Sequence, residues 1–194
     1  MKAFDWRNPP HVPVIAVMLA LSIGLGFLGD AVITASEKKS YPLTYQTYVE
    51  AAAGQYRVPE AVVFAVMRTE SGFDTGALSP AGAVGLMQLM PDTFRWLTDE
   101  MLFDHFEDGM MYDPETNIRY GVYLLARYYE RYGTWDLALA AFNAGPGRVD
   151  EWLTDSRYAD GAGGLKRIPF AETRRYLKKV NKTAGTYRRL WGID

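Results

Sequence analysis

The 194-residue chain contains no cysteine and only two histidines, which lie far apart in the sequence. Without cysteine, the chain has no disulfide framework, no thiolate metal site and no residue for lipoprotein acylation. His105 has no second candidate ligand near it, so we expect no metal site. With a formal net charge of −2, the chain lacks the excess of basic residues that is typical of nucleic-acid-binding domains. We therefore expect no nucleic acid partner.

One long apolar run stands out near the N-terminus, over residues 12–28. Two basic residues lie on each side of it, Lys2 and Arg7 before and Lys38 and Lys39 after. The run is at the lower edge of a membrane span and longer than a usual signal-peptide core. Its length favours an uncleaved anchor with a cytoplasmic N-terminus, and the alternative is a signal peptide cleaved before Ser36. Residues 1–40 are therefore predicted to form an anchor or signal segment with a linker, followed by one domain over residues 41–194.

Apolar side chains in the domain recur at helical spacing, and no segment alternates with the period of a half-buried strand. The fold class is therefore predicted to be all-α. Gly133 is expected to end one helix, and Thr134 to cap the next. Helices are predicted over residues 43–56, 59–70, 91–99, 117–132, 135–143, 147–154 and 170–190.

Glu70 is the residue whose position is most unusual. On a helix it follows Val66 by four residues and Met67 by three, so its carboxyl shares a stripe with apolar side chains. Loss of hydration there is expected to raise the pKa of the carboxyl and to keep it protonated toward neutral pH, as a general acid requires. The alternative is a helix-terminal Glu that reaches solvent or caps a neighbouring group.

Two segments rich in small residues accompany Glu70. Residues 71–91 contain four glycines and two prolines, which interrupt regular structure and let the backbone approach other groups closely. Gln88 is the amide within that segment, and Asn143 stands in a small, apolar context where another helix ends at Gly145. These residues are predicted to form the walls of a cleft, although each amide could equally satisfy local backbone groups.

Several motifs in order resemble the lytic transglycosylases of glycoside hydrolase family 23, a soluble-lytic-transglycosylase-type domain related in fold to goose-type lysozyme. The resemblance covers roughly residues 56–180. It rests on Glu-Ser-x-Phe-Asp, Gly-Ala-x-Gly-Leu-Met-Gln-Leu-Met-Pro, Asp-Pro-Glu-Thr-Asn-Ile-Arg-Tyr-Gly, Ala-Phe-Asn-Ala-Gly-Pro-Gly-Arg-Val and Glu-Thr-Arg-Arg-Tyr-Leu. It implies a lysozyme-like helical domain with a cleft.

The resemblance also implies a chemistry and a set of site residues. In the family, a single Glu cleaves the bond between N-acetylmuramic acid and N-acetylglucosamine in peptidoglycan and leaves a 1,6-anhydro end, without water or cofactor. Carried over to this sequence, Glu70 is the acid and base. The substrate-binding residues are Ser79, Gln88, Met90, Phe142, Asn143 and Tyr176. The expected partners are peptidoglycan strands and, through the N-terminal helix, the cytoplasmic membrane, with the domain outside that membrane.

One departure from the family concerns Phe142, because the family usually has Tyr before Asn-Ala-Gly. The ring is kept, and a hydroxyl expected near the catalytic carboxyl is lost. Tyr176 could supply that hydrogen bond instead. Two alternatives remain: a hydrolytic muramidase, which needs Asp74 or another acid to hold a water, and a non-catalytic glycan-binding module. Asp74 is more simply interpreted as a turn residue.

Overall fold

The computed structural model describes residues 12–101 and 107–194, with side chains described from residue 16 onward. Lys2, Arg7 and His105, which entered the expectations from sequence, lie outside the described residues. The chain divides into two compact units, Met1–Pro42 and Leu43–Asp194. The division into an anchor and a catalytic domain remains a prediction.

The first unit contains one long helix, α1 (Val12–Ser40). Its segment Ala16–Ser40 has a mean hydropathy of 2.1, which is apolar enough and long enough to cross a membrane. Large apolar side chains such as Leu25 and Phe27 are exposed along it. A signal sequence near the N-terminus meets the same criteria of length and hydropathy, so the anchor and the signal both stay predictions.

The second unit is helical, as predicted, and no strand occurs among the described residues, only isolated bridges. One turn of 3-10 helix at Asp108–Met111 was not predicted from the sequence. The helices are α2 (Gln46–Tyr56), α3 (Glu60–Glu70), α4 (Pro91–Glu100), α5 (Pro114–Tyr132), α6 (Trp135–Ala144), α7 (Pro146–Thr154) and α8 (Ala171–Trp191).

Local chemistry explains where the helices begin and end. Gly133 ends α5 with φ 73°, and the Thr134 hydroxyl accepts the Leu137 N–H at 3.4 Å, so both predicted caps are confirmed. Helix α5 begins three residues before the predicted start because Asp113 accepts the Thr116 N–H at 2.8 Å. Proline at position 114 suits a first helical residue.

Helix α3 forms the centre of the core, and residues 61–67 are all buried. It packs mainly against α8, where the Phe64 ring stacks on Tyr187 with ring centres 5.3 Å apart. Burying one such side chain stabilises the fold by about 1.5–3 kcal/mol. Because α3 is held along its length, the position of its last residue, Glu70, is fixed by the core.

Candidate active site

Glu70 is the last residue of α3 and is half-buried. Burial raises the pKa of its carboxyl from 4.5 to about 7, and burial is the largest influence on that pKa. The Tyr176 hydroxyl and the Lys179 ammonium act in the opposite direction, because both favour the ionised carboxylate. The raised pKa predicted from the helical spacing is confirmed, and the protonated carboxyl persists toward neutral pH.

Tyr176 comes from α8 and is buried beside Glu70. Its hydroxyl interacts with the carboxyl, yet it has no well-aligned hydrogen bond to any described residue. Burial and the neighbouring carboxylate hold the pKa of Tyr176 well above its usual value. Since the hydroxyl favours the ionised carboxylate, burial alone accounts for the raised pKa of Glu70.

Ser71 connects the end of α3 to the glycine-rich loop. Its hydroxyl oxygen lies 2.8 Å from the Leu86 carbonyl oxygen and 3.1 Å from the Met67 carbonyl oxygen. The same oxygen accepts the Phe73 N–H at 3.1 Å. A small hydroxyl residue directly after the buried carboxylate was the available signal in the sequence, but its role in joining the two segments was missed.

The loop over residues 77–90 is held by side chains that bond to its backbone. The Ser79 hydroxyl accepts the Ala83 N–H at 2.9 Å, and Gln88 Nε2 donates to the carbonyls of Ala77 and Gly85. Gln88 adopts φ 50°, which is uncommon for a residue with a side chain. Both predicted substrate-binding residues therefore have a role in shaping the loop.

Asn117 on α5 also holds the loop in place through hydrogen bonds. The sequence analysis did not identify it as a site residue. Its side chain is 1% exposed and makes three hydrogen bonds. Its oxygen accepts the Met87 N–H at 2.8 Å, and its nitrogen donates to the carbonyls of Val84 and Met111. A Cβ at Gly85 would approach the Met111 carbonyl oxygen to 2.6 Å, so the loop can pass this amide only with glycine there.

Four of the predicted site residues line one pocket, which we call the cleft pocket. Its volume is about 300 Å³, and its lining comes from the loop, α4, α5 and the junction of α6 with α7. The lining residues are Gln88, Leu89, Met90, Thr93, Leu124, Tyr128, Ala141, Phe142, Asn143, Ala144, Gly145 and Pro146. Glu70, Ser79 and Tyr176 are not among them. The expectation that Phe142 faces Glu70 remains a prediction.

Asp74, the nearest other carboxylate in sequence, lies on the surface and forms a turn. Its Oδ1 accepts the Gly76 N–H at 2.9 Å. This hydrogen bond matches the interpretation of Asp74 as a turn residue.

Comparison with known proteins identifies the family of the chain. The model of the transglycosylase SLT domain matches residues 47–162. The chain belongs to the SLT transglycosylase family. The family resemblance inferred from the motifs is therefore confirmed.

Relatives of this SLT domain include soluble and membrane-bound enzymes. It is 35% identical over 158 residues to the soluble lytic murein transglycosylase of Escherichia coli K12, covering 80% of this chain and 24% of that protein. It is 30% identical over 175 residues to the membrane-bound lytic murein transglycosylase C of Edwardsiella ictaluri, covering 75% of this chain and 47% of that one. The chain thus spans about a quarter of the length of the soluble relative.

Solved structures give the same result for the fold. The SLT domain superimposes on the 70 kDa soluble lytic transglycosylase of Escherichia coli with a TM-score of 0.72 and 35% identity, over 80% of this chain and 26% of that one. The TM-score for an inactive mutant of lytic transglycosylase Slt from Pseudomonas aeruginosa is 0.70, with 33% identity, covering 78% of this chain and 25% of the other. The predicted all-α, lysozyme-like fold is confirmed.

Proposed function

We propose that the chain is a peptidoglycan lytic transglycosylase with Glu70 as its single acid and base. The observation that carries this proposal is a carboxyl with a pKa of about 7 at the end of a buried helix, in a domain of the SLT family. A group with that pKa is available as an acid and as a base near neutral pH. A binding module has no use for such a group, which argues against a non-catalytic role.

The first chemical step is protonation of the glycosidic oxygen. Glu70 gives its proton to the oxygen between N-acetylmuramic acid and N-acetylglucosamine, and the bond from that oxygen to the anomeric carbon breaks. The half-buried position of the carboxyl supports this role, since burial is what keeps it protonated near pH 7.

The second step closes a ring within the muramic acid. The Glu70 carboxylate takes the proton of the 6-hydroxyl, whose oxygen forms the new bond to the anomeric carbon. Glu70 regains its proton, no water is consumed, and the product is a 1,6-anhydro end. An ordinary glycosidase needs a second carboxylate. Asp74, the nearest other carboxylate in sequence, is engaged in a surface turn. This supports a mechanism in which Glu70 is the only catalytic carboxylate.

Analysis of product masses tests this proposal directly. Digestion of sacculi by the protein is expected to give muropeptides that are one water lighter than the reducing-end products of a hydrolase. Products that carry reducing ends instead would identify a hydrolytic muramidase. The absence of any soluble product from a folded preparation that binds sacculi would leave only the glycan-binding alternative.

We further propose that the protein is held in the cytoplasmic membrane by α1, with residues 41–194 on the outer side where peptidoglycan lies. The length and hydropathy of Ala16–Ser40 support this placement, as does the existence of membrane-bound relatives. Protease added to intact spheroplasts should remove the domain and leave the membrane-embedded segment. Digestion that occurs only after lysis would contradict this topology.

A further inference from the structure

A second groove lies next to the cleft pocket, on the surface formed by α4 and α5. Its volume is about 830 Å³, in the range of sites that bind small molecules. We call it the distal groove. It is lined by Asp92, Thr93, Trp96, Arg127, Tyr128, Glu130, Arg131 and Pro146.

The distal groove is continuous with the cleft pocket. Thr93, Tyr128 and Pro146 line both of them, so a chain molecule that leaves the cleft pocket on this side enters the groove. Most of the groove wall comes from the two helices, so its shape does not depend on loop ordering. Continuity with the cleft indicates that the groove receives more of the same polymer.

Trp96 is the side chain in the groove that is best suited to hold a sugar ring. It is 45% exposed, while the opposite side of α4 buries Phe94 and Leu97 in the core. A large indole that remains open to solvent on a rigid helix offers a flat apolar face with a polar edge. The C–H face of a pyranose ring stacks on such a surface, and its hydroxyls remain free to bond at the edge.

The charges in the groove argue for the sugar backbone and against the peptide stem. The lining has two acids, Asp92 and Glu130, and two arginines. Both arginines are engaged in ion pairs, Arg131 with Asp150 at 2.6 Å and Arg127 with Glu100 at 3.1 Å. A groove whose charges are balanced, and whose arginines are already engaged, does not select an anionic ligand. The carboxylates of a stem peptide would meet Asp92 and Glu130.

We propose that the distal groove is an extended glycan subsite in which Trp96 stacks on a sugar ring beyond the rings held in the cleft pocket. This inference rests on the proposed function and names a part of the substrate that the family motifs do not assign. It predicts that long glycan strands are preferred over short fragments because only a long strand reaches Trp96.

The test compares kcat/KM of the full-length protein on long peptide-free glycan strands and on a tetrasaccharide. In Trp96→Ala, the kcat/KM for long strands divided by that for the tetrasaccharide is expected to fall about five- to tenfold. This is the scale of one aromatic stacking contact. Trp96→Phe should restore most of the ratio. Tyr48→Ala removes an aromatic ring that is 38% exposed on α2 and serves as the matched control. Melting temperatures of all three variants report whether folding is intact.

Each outcome decides between the two proposals. An active protein whose length preference is unchanged in Trp96→Ala would overturn the distal subsite and leave the proposed function standing. A wild-type protein inactive on every substrate would overturn the proposed function instead. Equilibrium binding of long strands still tests the groove in that case, and it supports the subsite if Trp96→Ala binds them about five- to tenfold more weakly. Binding of free stem peptide that is lost in Trp96→Ala would identify a peptide site and overturn the glycan inference.

Discussion

Glu70→Gln is expected to give a folded protein that still binds glycan strands and has lost nearly all turnover. The amide keeps the shape of the carboxyl and lacks the proton that the first step transfers. General acid catalysis contributes about 10²- to 10⁴-fold, and kcat should fall by that factor. The measurement is the initial rate of release of soluble muropeptides from sacculi, together with pull-down of the variant on the same sacculi.

Glu60→Gln is the matched control, because Glu60 begins the helix that Glu70 ends. The same substitution there should leave the rate within about twofold of the parent, as for a change away from the site. Activity near that of the parent in Glu70→Gln would refute the mechanism. Equal losses in both variants would indicate damage to α3 and not the loss of a proton donor.

Glu70→Gln is also expected to be more stable than the parent above pH 7. The pKa of Glu70 is raised in the folded state, so the folded protein holds this proton more tightly than the unfolded chain does. The stabilisation from this group is complete below pH 4.5 and is lost as pH rises to about 7. The full shift corresponds to about 3 kcal/mol, and solvent screening of the partly exposed carboxyl makes about 1–2 kcal/mol the expected gain. Denaturant midpoints at pH 5 and pH 8 measure it.

The sequence alone was sufficient to predict the buried carboxyl, because the information is local. Glu70 follows buried Val66 and Met67 at helical spacing, and the regular geometry of a helix converts that spacing into a shared face. The caps at Gly133 and Thr134 were predictable for the same reason. Each one depends on the backbone conformation or side-chain oxygen of a single residue.

The groups that hold the loop could not be predicted in this way. Asn117 bonds to Met87 across 30 positions of sequence, and Ser71 reaches the carbonyl of Leu86 across 15. A buried amide on a helix has many potential partners, and only the tertiary fold selects among them. The distal groove is a further case, because it exists only where α4 lies beside α5.

The position of the Tyr176 hydroxyl also depends on tertiary structure, since α8 brings it to α3. This hydroxyl is expected to influence how the rate depends on pH. The rate of the parent should fall about tenfold for each pH unit above about 7, because the first step requires protonated Glu70. The Tyr176 hydroxyl favours the ionised carboxylate and lowers its pKa. Tyr176→Phe is therefore expected to raise the pKa and move the alkaline limb of the kcat/KM profile to higher pH.

The sign of this shift separates the role of Tyr176 in tuning the acid from a purely structural one. A variant that only loosened the core would lower the rate at every pH and leave the limb in place. Tyr187→Phe provides that comparison, because Tyr187 lies buried on the same helix and stacks on Phe64. Lys179→Gln should move the limb in the same direction as Tyr176→Phe, and salt should weaken its effect because the exposed ammonium is screened. A limb that stays in place or moves to lower pH in Tyr176→Phe would mean that the hydroxyl does not stabilise the carboxylate, and Tyr176 would then have no part in setting the working pH.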